Sequence, residues 1–335
     1  MRTDDFHYDL PSDRIALYPV QPRDECLLLV IEKKKQIISH RKFRDIVDYL
    51  ESGDCIVLNE SRVQPVRFRL RRSSGGVIEL LFTEKYNDGM WSALARPAKR
   101  IREDEKLIDE GGEEIVKIRE VNKGKVMLQL LICEEELFSR LGLAPLPAYI
   151  HRVPEKADLE TYQAVFARTG FSIAAPTAGL HFTDNLLQSI RAQGTQVACI
   201  QLDVGEGTFR PVKTDNVEDH KMLTENYSIS EKTASVINDA ERIVAVGTTV
   251  TRTLESFERD KSIKPGSAST GLFIYPGYKF NHINALLTNF HQPSSTPLLL
   301  TCAFGGKDLV FKAYSEALER DYRFLSYGDA MLILP

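Results

Sequence analysis

The sequence predicts a multidomain α/β fold, in which a large α/β domain with a mixed sheet carries an inserted small β-barrel domain. Three observations carry that prediction. From Glu25 to Asn59 strand and helix patterns alternate; from Val63 to about Ile132 only short strand patterns occur; beyond that helices return with strands between them. The length, 335 residues, accommodates two domains.

Taken in order, CLLLVIE, QIISH and DCIVLN read as strands and KFRDIVDYL as a helix, with ESGD turning into the third strand. The runs VRFRLR, VIELLFTE, MWSALA, EEIVKIREV and KVMLQLLI follow, separated by SSGG, YNDG, DEGG and NKG turns. Five or six evenly spaced strands without helices make a small barrel or sandwich. A proline-rich crossing, PLPAYIHRVPEK, leads back to helices in LETYQAVFA, DNLLQSIRAQG, ASVINDAER, the segment after VGTT, and KDLVFKAYSEALERD. Between them QVACIQLD, RIVAVG and DAMLIL are strands. The expected domains are 1–65 with 153–335, and an insert at 66–152.

Composition limits the function classes. Hydrophobic residues are 43% and charged residues 27%, enough for a sizeable core and incompatible with general disorder. A net charge of −4 argues against coating nucleic acid by bulk charge and leaves room for a local basic patch. Cys26, Cys55, Cys133, Cys199 and Cys302 show no paired spacing, so they are expected to be buried thiols in a reducing cytoplasm. The amino-terminal MRTDDFHYDLPSDRIALYP has neither a signal-peptide core nor a membrane span, and a cytoplasmic protein is expected.

Two segments concentrate positive charge. In RFRLRR, strand alternation puts Arg67, Arg69 and Arg71 on one face, and RPAKRIR adds Arg96, Lys99 and Arg100 nearby; the pair suits a phosphate backbone or a solvated barrel face equally. VAVGTTVTRTLES is a strand passing through Gly247, Thr248 and Thr249 into a helix, whose N-terminus suits a carboxylate or phosphate, or is merely a capped start. DVGEGTFRPV frees its backbone at Gly205 and Gly207. DHKMLTEN brings His220 and Glu225, GLFIYPGYKF brings Tyr275 and Tyr278, TNFHQPSST brings Asn289 and His291, and YRFLSYGDAM brings Tyr322, Tyr327 and Asp329. Each alone reads as a turn, a satisfied histidine or a cap. Together they sit in loops at strand ends, where open α/β sheets build their sites. His181, Asp203, His220 and His291 have no metal-ligand spacing, and no metal is expected.

AAPTAGLHFT, VGEGTFRPV, VGTTVTRTLES, FIYPGYKF, TNFHQPSST and YRFLSYGDAM, in that order, resemble the S-adenosylmethionine:tRNA ribosyltransferase-isomerase family of queuosine biosynthesis. YDLPSDRIALYP, LLLVIEKKKQIISHRKFRDI, GDCIVLNESRV and PLPAYIHR extend the likeness over nearly the whole chain. The resemblance implies transfer and isomerisation of the S-adenosylmethionine ribosyl group onto 7-aminomethyl-7-deazaguanine at the tRNA wobble position. Epoxyqueuosine forms, and adenine and methionine leave. It also implies S-adenosylmethionine as co-substrate, no true cofactor, tRNA as partner, no membrane, and a monomer.

On that resemblance His181, Glu225, His291 and Asp203 are expected in proton transfer, and Gly247, Thr248, Thr249 and Arg252 at the methionine carboxylate. Thr177, Gly205, Gly207, Thr208, Arg210, Tyr275, Asn289, Tyr327 and Asp329 complete the expected substrate contacts, with Arg67, Arg69, Arg71, Arg96, Lys99 and Arg100 toward RNA. The chain departs from the family pattern at Asp203 and Leu223, where histidines are usual, at Ser295, where lysine is usual, and in NESRV with Glu60 and Ser61. These departures define the alternatives of a diverged relative with another acceptor or chemistry, and of a non-catalytic RNA- or ligand-binding protein.

Overall fold

The computed structural model describes the chain except residues 87–88, 206, 208–211 and 260, together with the side chain at 100. It divides into two compact units: Met1–Arg62, Pro147–Arg152 and Gln163–Pro335 form the first, Val63–Leu146 and Val153–Tyr162 the second.

The chain opens with the hairpin β1 (Leu27–Glu32) and β2 (Ile37–Lys42), then β3 (Asp54–Asn59) and the short β4 (Ser61–Val63). The second unit holds β5 (Arg67–Arg72), β6 (Val77–Lys85), β7 (Met90–Arg96), β8 (Lys106–Ile108), β9 (Glu114–Asn122) and β10 (Lys125–Leu130), followed by α1 (Glu134–Leu141) and the single turn α2 (Asp158–Thr161). The first unit resumes with β11 (Thr169–Ser172), α3 (Asp184–Ala192), β12 (Gln196–Leu202), β13 (Glu225–Ile229), α4 (Glu231–Asn238), β14 (Arg242–Val246) and α5 (Gly247–Glu255). It ends with β15 (Gly266–Thr270), β16 (Ala285–Asn289), α6 (Thr296–Gly305), α7 (Lys307–Glu319) and β17 (Ala330–Leu334).

Among the described residues nine strands form one mixed sheet in the order β15-β13-β12-β3-β14-β16-β17-β1-β2. β12, β3, β14 and β16 run parallel, β17 runs against β16, and β1 runs parallel to β17. The central strands carry continuous apolar runs, CIVL in β3, IVAV in β14 and ALL in β16, because both sheet faces are covered. Leu29, Ile31, Cys55, Val57, Ala245, Leu286 and Met331 pack on one face with Val250 and Leu254 of α5, α6 and α7. Leu28, Val30, Ile56, Leu58, Val244 and Leu287 pack on the other with Phe43, Ile46 and Leu186, Leu187 and Ile190 of α3. Each fully buried leucine or isoleucine contributes about 1.5–3 kcal/mol relative to exposure, so alternate residues of one strand tie down opposite layers.

The second unit is a closed six-stranded barrel, β10-β7-β6-β5-β8-β9. Its interior alternates as the sequence pattern requires: Phe68 and Leu70 of β5 are buried while Arg69 and Arg71 between and beyond them are exposed. Phe138 of α1 places its ring 5.6 Å from Phe68 and 5.8 Å from Trp91, filling the space beside the aromatic cluster.

Several local expectations are corrected. KFRDIVDYL forms a 3₁₀ helix over Phe43–Tyr49, and of LETYQAVFA only the turn at α2 is helical, because Tyr162 and Ala164 are buried in irregular backbone. Cys133 is exposed and Cys199 half-buried, so only Cys26, Cys55 and Cys302 meet the expectation of burial. Cys133 is at the surface because it caps α1, its sulfur accepting from the Glu136 N–H. No helix among the described residues is long and apolar enough to cross a membrane.

Candidate active site at one edge of the sheet

The strand directions bring the motif residues together. Asn59, Leu202, Val246 and Asn289 end β3, β12, β14 and β16 at one edge, and β17 and β1 begin there, since Asn289 pairs with Ala330 and Ala330 with Leu28. β3 has β12 on one side and β14 on the other, with successive crossovers going to opposite sides, so this edge is the switch point of the sheet, where a crevice opens. Asn59 spans it: its Nδ2 donates to the Leu202 carbonyl at 2.9 Å and toward Thr249 Oγ1 at 3.5 Å.

AAPTAGLHFT lies across this edge as a 3₁₀ turn, Thr177–His181, followed by Thr183, which caps α3 by accepting from the Leu186 N–H. Gly247 needs its glycine here: φ is +88°, and an added Cβ would stand 3.5 Å from Ala178 of that turn. His181 is buried between Cys26 Sγ, 3.2 Å from its Nδ1, and Asn289 Nδ2, 3.1 Å from its Nε2. Burial, with the Arg323 and Arg23 charges adding to it, lowers the imidazole to about 3, so the ring is neutral. Thr177 Oγ1 donates to Asn289 Oδ1 at 3.1 Å. His181, Cys26, Arg23, Ser326 and Tyr327 line a small cavity.

A second cleft lies at the start of α5, lined by Met222, Thr248, Thr249, Arg252, Phe273 and Thr296 among others, with about 400 Å³ of empty space counting its mouth. α5 starts without a side-chain cap, so its first N–H groups face outward from a positive helix end. Arg252 contributes less free charge than its position predicts. Its Nη1 donates to Glu225 Oε2, its Nε to the Leu272 carbonyl at 2.9 Å, and its Nη2 to the Thr270 carbonyl at 3.4 Å. Glu225 Oε1 accepts from the Gly205 N–H at 3.1 Å, which anchors the glycine loop.

Asp203, standing where the family pattern has histidine, is half-buried at the end of β12. Its Oδ1 accepts from Ser61 Oγ at 2.6 Å and from the Phe171 N–H at 3.0 Å, and Gln201 Nε2 lies 3.3 Å from both oxygens. Ser61 thus supplies a hydroxyl donor to the departure at Asp203. Leu223 is exposed and packs over Gly207, where an added Cβ would approach it to 3.2 Å. Ser295 caps α6, accepting from the Leu298 N–H.

Other expected residues serve the frame. Asp329 is buried and accepts from the Leu27 and Arg323 N–H groups at 2.8 and 2.7 Å, joining the starts of β1 and β17. His291 is half-buried, its Nε2 2.8 Å from Thr288 Oγ1, and desolvation lowers it to about 3. The Tyr275 ring lies 5.1 Å from Phe273 at the second cleft. Thr208 and Arg210 lie outside the described residues. In the barrel, Arg67 donates to the Leu146 carbonyl at 2.7 Å and to Glu79, and Arg69 also reaches Glu79, its cross-strand partner, at 3.8 Å. Arg71, Arg96 and Lys99 are exposed, and the Arg100 side chain lies outside the described set. Among the described residues no group of three or more histidine, cysteine, aspartate and glutamate side chains is placed to share a metal ion. Cys26 is expected from the sequence only as a buried thiol; its partner lies 155 residues away, so no local spacing marks it.

Fold and site together define an α/β protein with an inserted barrel whose polar residues converge on a sheet switch point. The chain belongs to the family described as queuosine biosynthesis protein, which matches residues 3–333. It is 44% identical over 338 residues to the S-adenosylmethionine:tRNA ribosyltransferase-isomerase of Thermotoga petrophila, with both chains fully covered. It is 45% identical over 334 residues to that of Rubrobacter xylanophilus, covering 100% of this chain and 98% of the relative. The crystal structure of the S-adenosylmethionine tRNA ribosyltransferase from Thermotoga maritima is similar, with a TM-score of 0.56 and 34% identity over 98% of this chain and 100% of that one.

Proposed function

We propose that this chain transfers the ribosyl moiety of S-adenosylmethionine to 7-aminomethyl-7-deazaguanine at the wobble position of tRNA and isomerises it to the epoxycyclopentanediol of epoxyqueuosine, releasing adenine and methionine. The observation that carries this reading is the gathering of the family motifs at one sheet edge in a chain matched from residue 3 to 333. S-adenosylmethionine is a consumed co-substrate. Domain 1–65 with 153–335 holds it, and domain 66–152 presents Arg71, Arg96 and Lys99 to tRNA phosphates. The chain works as a monomer, where tRNA is, in the cytoplasm.

The sulfonium acidifies the adjacent 5′ carbon. A positioned base removes a proton from it, the ribose ring opens with loss of adenine, the amine of the modified base attacks, and reclosure to the epoxycyclopentanediol breaks the C–S bond and expels methionine. The methionine carboxylate suits the N-terminus of α5, where the N–H groups of Thr248 and Thr249 act while Arg252 is already paired with Glu225. Asp203, half-buried and aligned by Ser61 and Gln201, suits the base or a ribose hydroxyl. His181 stands close to Tyr327 in the neighbouring cavity and suits the nucleoside. The test is transfer of label from ribose-labelled S-adenosylmethionine into tRNA bearing the aminomethyl base. Label in tRNA supports the reading, and label confined to unreacted S-adenosylmethionine rejects it.

A further inference from the structure

Asn289 has one orientation available. Its amide lies 3.1 Å from the Leu325 carbonyl, which only accepts, so the atom facing it is Nδ2; the flipped amide would set two acceptors against each other. The second Nδ2 hydrogen then points at His181 Nε2, 3.1 Å away, and Oδ1 accepts from Thr177. His181 Nε2 is therefore an acceptor and carries no proton. A neutral imidazole in that position must carry its hydrogen on Nδ1, the nitrogen 3.2 Å from Cys26 Sγ, and both residues line the small cavity.

We propose that Asn289 is a positioning residue that fixes His181 as the Nδ1–H tautomer, and that His181 acts on the nucleoside as a neutral hydrogen-bond donor through Nδ1, with Cys26 as its resting acceptor. Two further facts agree. Burial keeps the imidazole neutral and holds the Cys26 thiol well above its usual range, so the pair is thiol and imidazole, the opposite of an activated thiolate and imidazolium. The Phe43 ring, 5.0 Å from the His181 ring, fixes the plane of the imidazole. Cys26, the turn carrying Thr177 and His181, Asn289 and Leu325 come from four separate stretches of chain, and only the fold aligns them.

The proposal rests on the function reading above for its substrate, and the experiment separates the two. Nitrogen NMR of the full chain labelled in histidine, with the His181 signals assigned by their loss in His181→Gln, reads the tautomer directly. The expected result is a protonated Nδ1 and an unprotonated Nε2 in the wild type, unchanged in Cys26→Ala. In Asn289→Asp, whose carboxylate only accepts, the proton moves to Nε2, and kcat for adenine release falls by about 10²–10³-fold with KM for S-adenosylmethionine little changed. If Asn289→Asp fails to fold, Asn289→Leu serves, and the two His181 nitrogens then lose their single fixed assignment. A wild type that turns over yet carries the proton on Nε2 overturns the proposal alone. A wild type that carries it on Nδ1 and releases no adenine overturns the function reading on which the catalytic part rests.

Discussion

Replacing Glu225 by glutamine isolates the buried charge pair that holds the second cleft. Glu225 and Arg252 have side chains only 4% and 9% exposed, and the variant keeps an oxygen for the Gly205 N–H while removing the negative charge. Breaking one side of a buried pair leaves the other charge unbalanced, at a cost of about 3–5 kcal/mol. The two carbonyls that accept from Arg252 offset part of it, so the lower end, about 3 kcal/mol, applies. At roughly 2–4 °C per kcal/mol for a domain of this size, Glu225→Gln lowers Tm by about 6–12 °C. The assay is thermal unfolding followed by circular dichroism, with Arg252→Met and the double variant completing the cycle. The double variant recovers most of the loss, because a neutral pair carries no stranded charge. A drop below about 1 °C in Glu225→Gln, or a double variant less stable than either single one, refutes the reasoning.

Three further outcomes follow. His181 and His291 are both lowered to about 3 from 6.5, so between those values the unfolded chain binds more protons than the folded one and stability falls as pH drops below about 6.5. The pair contributes up to about 2.7 kcal/mol per pH unit, and Tm measured from pH 7.5 to 5 has a shallower slope in the His181→Gln/His291→Gln variant; an unchanged slope contradicts it. Asp329→Asn leaves one of two buried N–H groups without its acceptor, costing about 1–3 kcal/mol in a urea titration, and no loss contradicts the bridge between β1 and β17. Substituting Glu for Arg71, Arg96 and Lys99 weakens tRNA binding and flattens its salt dependence by about 0.7–0.9 in log–log slope per lost phosphate contact. Arg69→Ala, whose partner is Glu79, changes that slope little, and the reverse ranking contradicts the surface assignment.

The fold class was readable because the central strands hold continuous apolar runs and the barrel strands alternate. What escaped the sequence has physical causes. α6, TPLLLTCAFG, is apolar all round and buried, so no helical period stands out; the Ser295 cap followed by Thr296 and Pro297 was the available signal. β13 and β15, ENYSI and GSAST, sit at the sheet edge and are polar, lacking the apolar run by which strands are recognised. At the site, the motifs indicated which loops matter but not which side chains are already engaged. Arg252 is expected at the methionine carboxylate and is also paired with Glu225, and Asp329 is expected at the substrate and also holds two backbone N–H groups. Both depend on partners that only tertiary packing supplies.

The central claim is tested most directly by incubating the purified chain with S-adenosylmethionine and tRNA bearing 7-aminomethyl-7-deazaguanine, then measuring released adenine beside the digested nucleosides. Adenine released only in the presence of that tRNA, in equal amount with epoxyqueuosine, is the predicted result. Adenine release absent, or independent of the aminomethyl base, contradicts it.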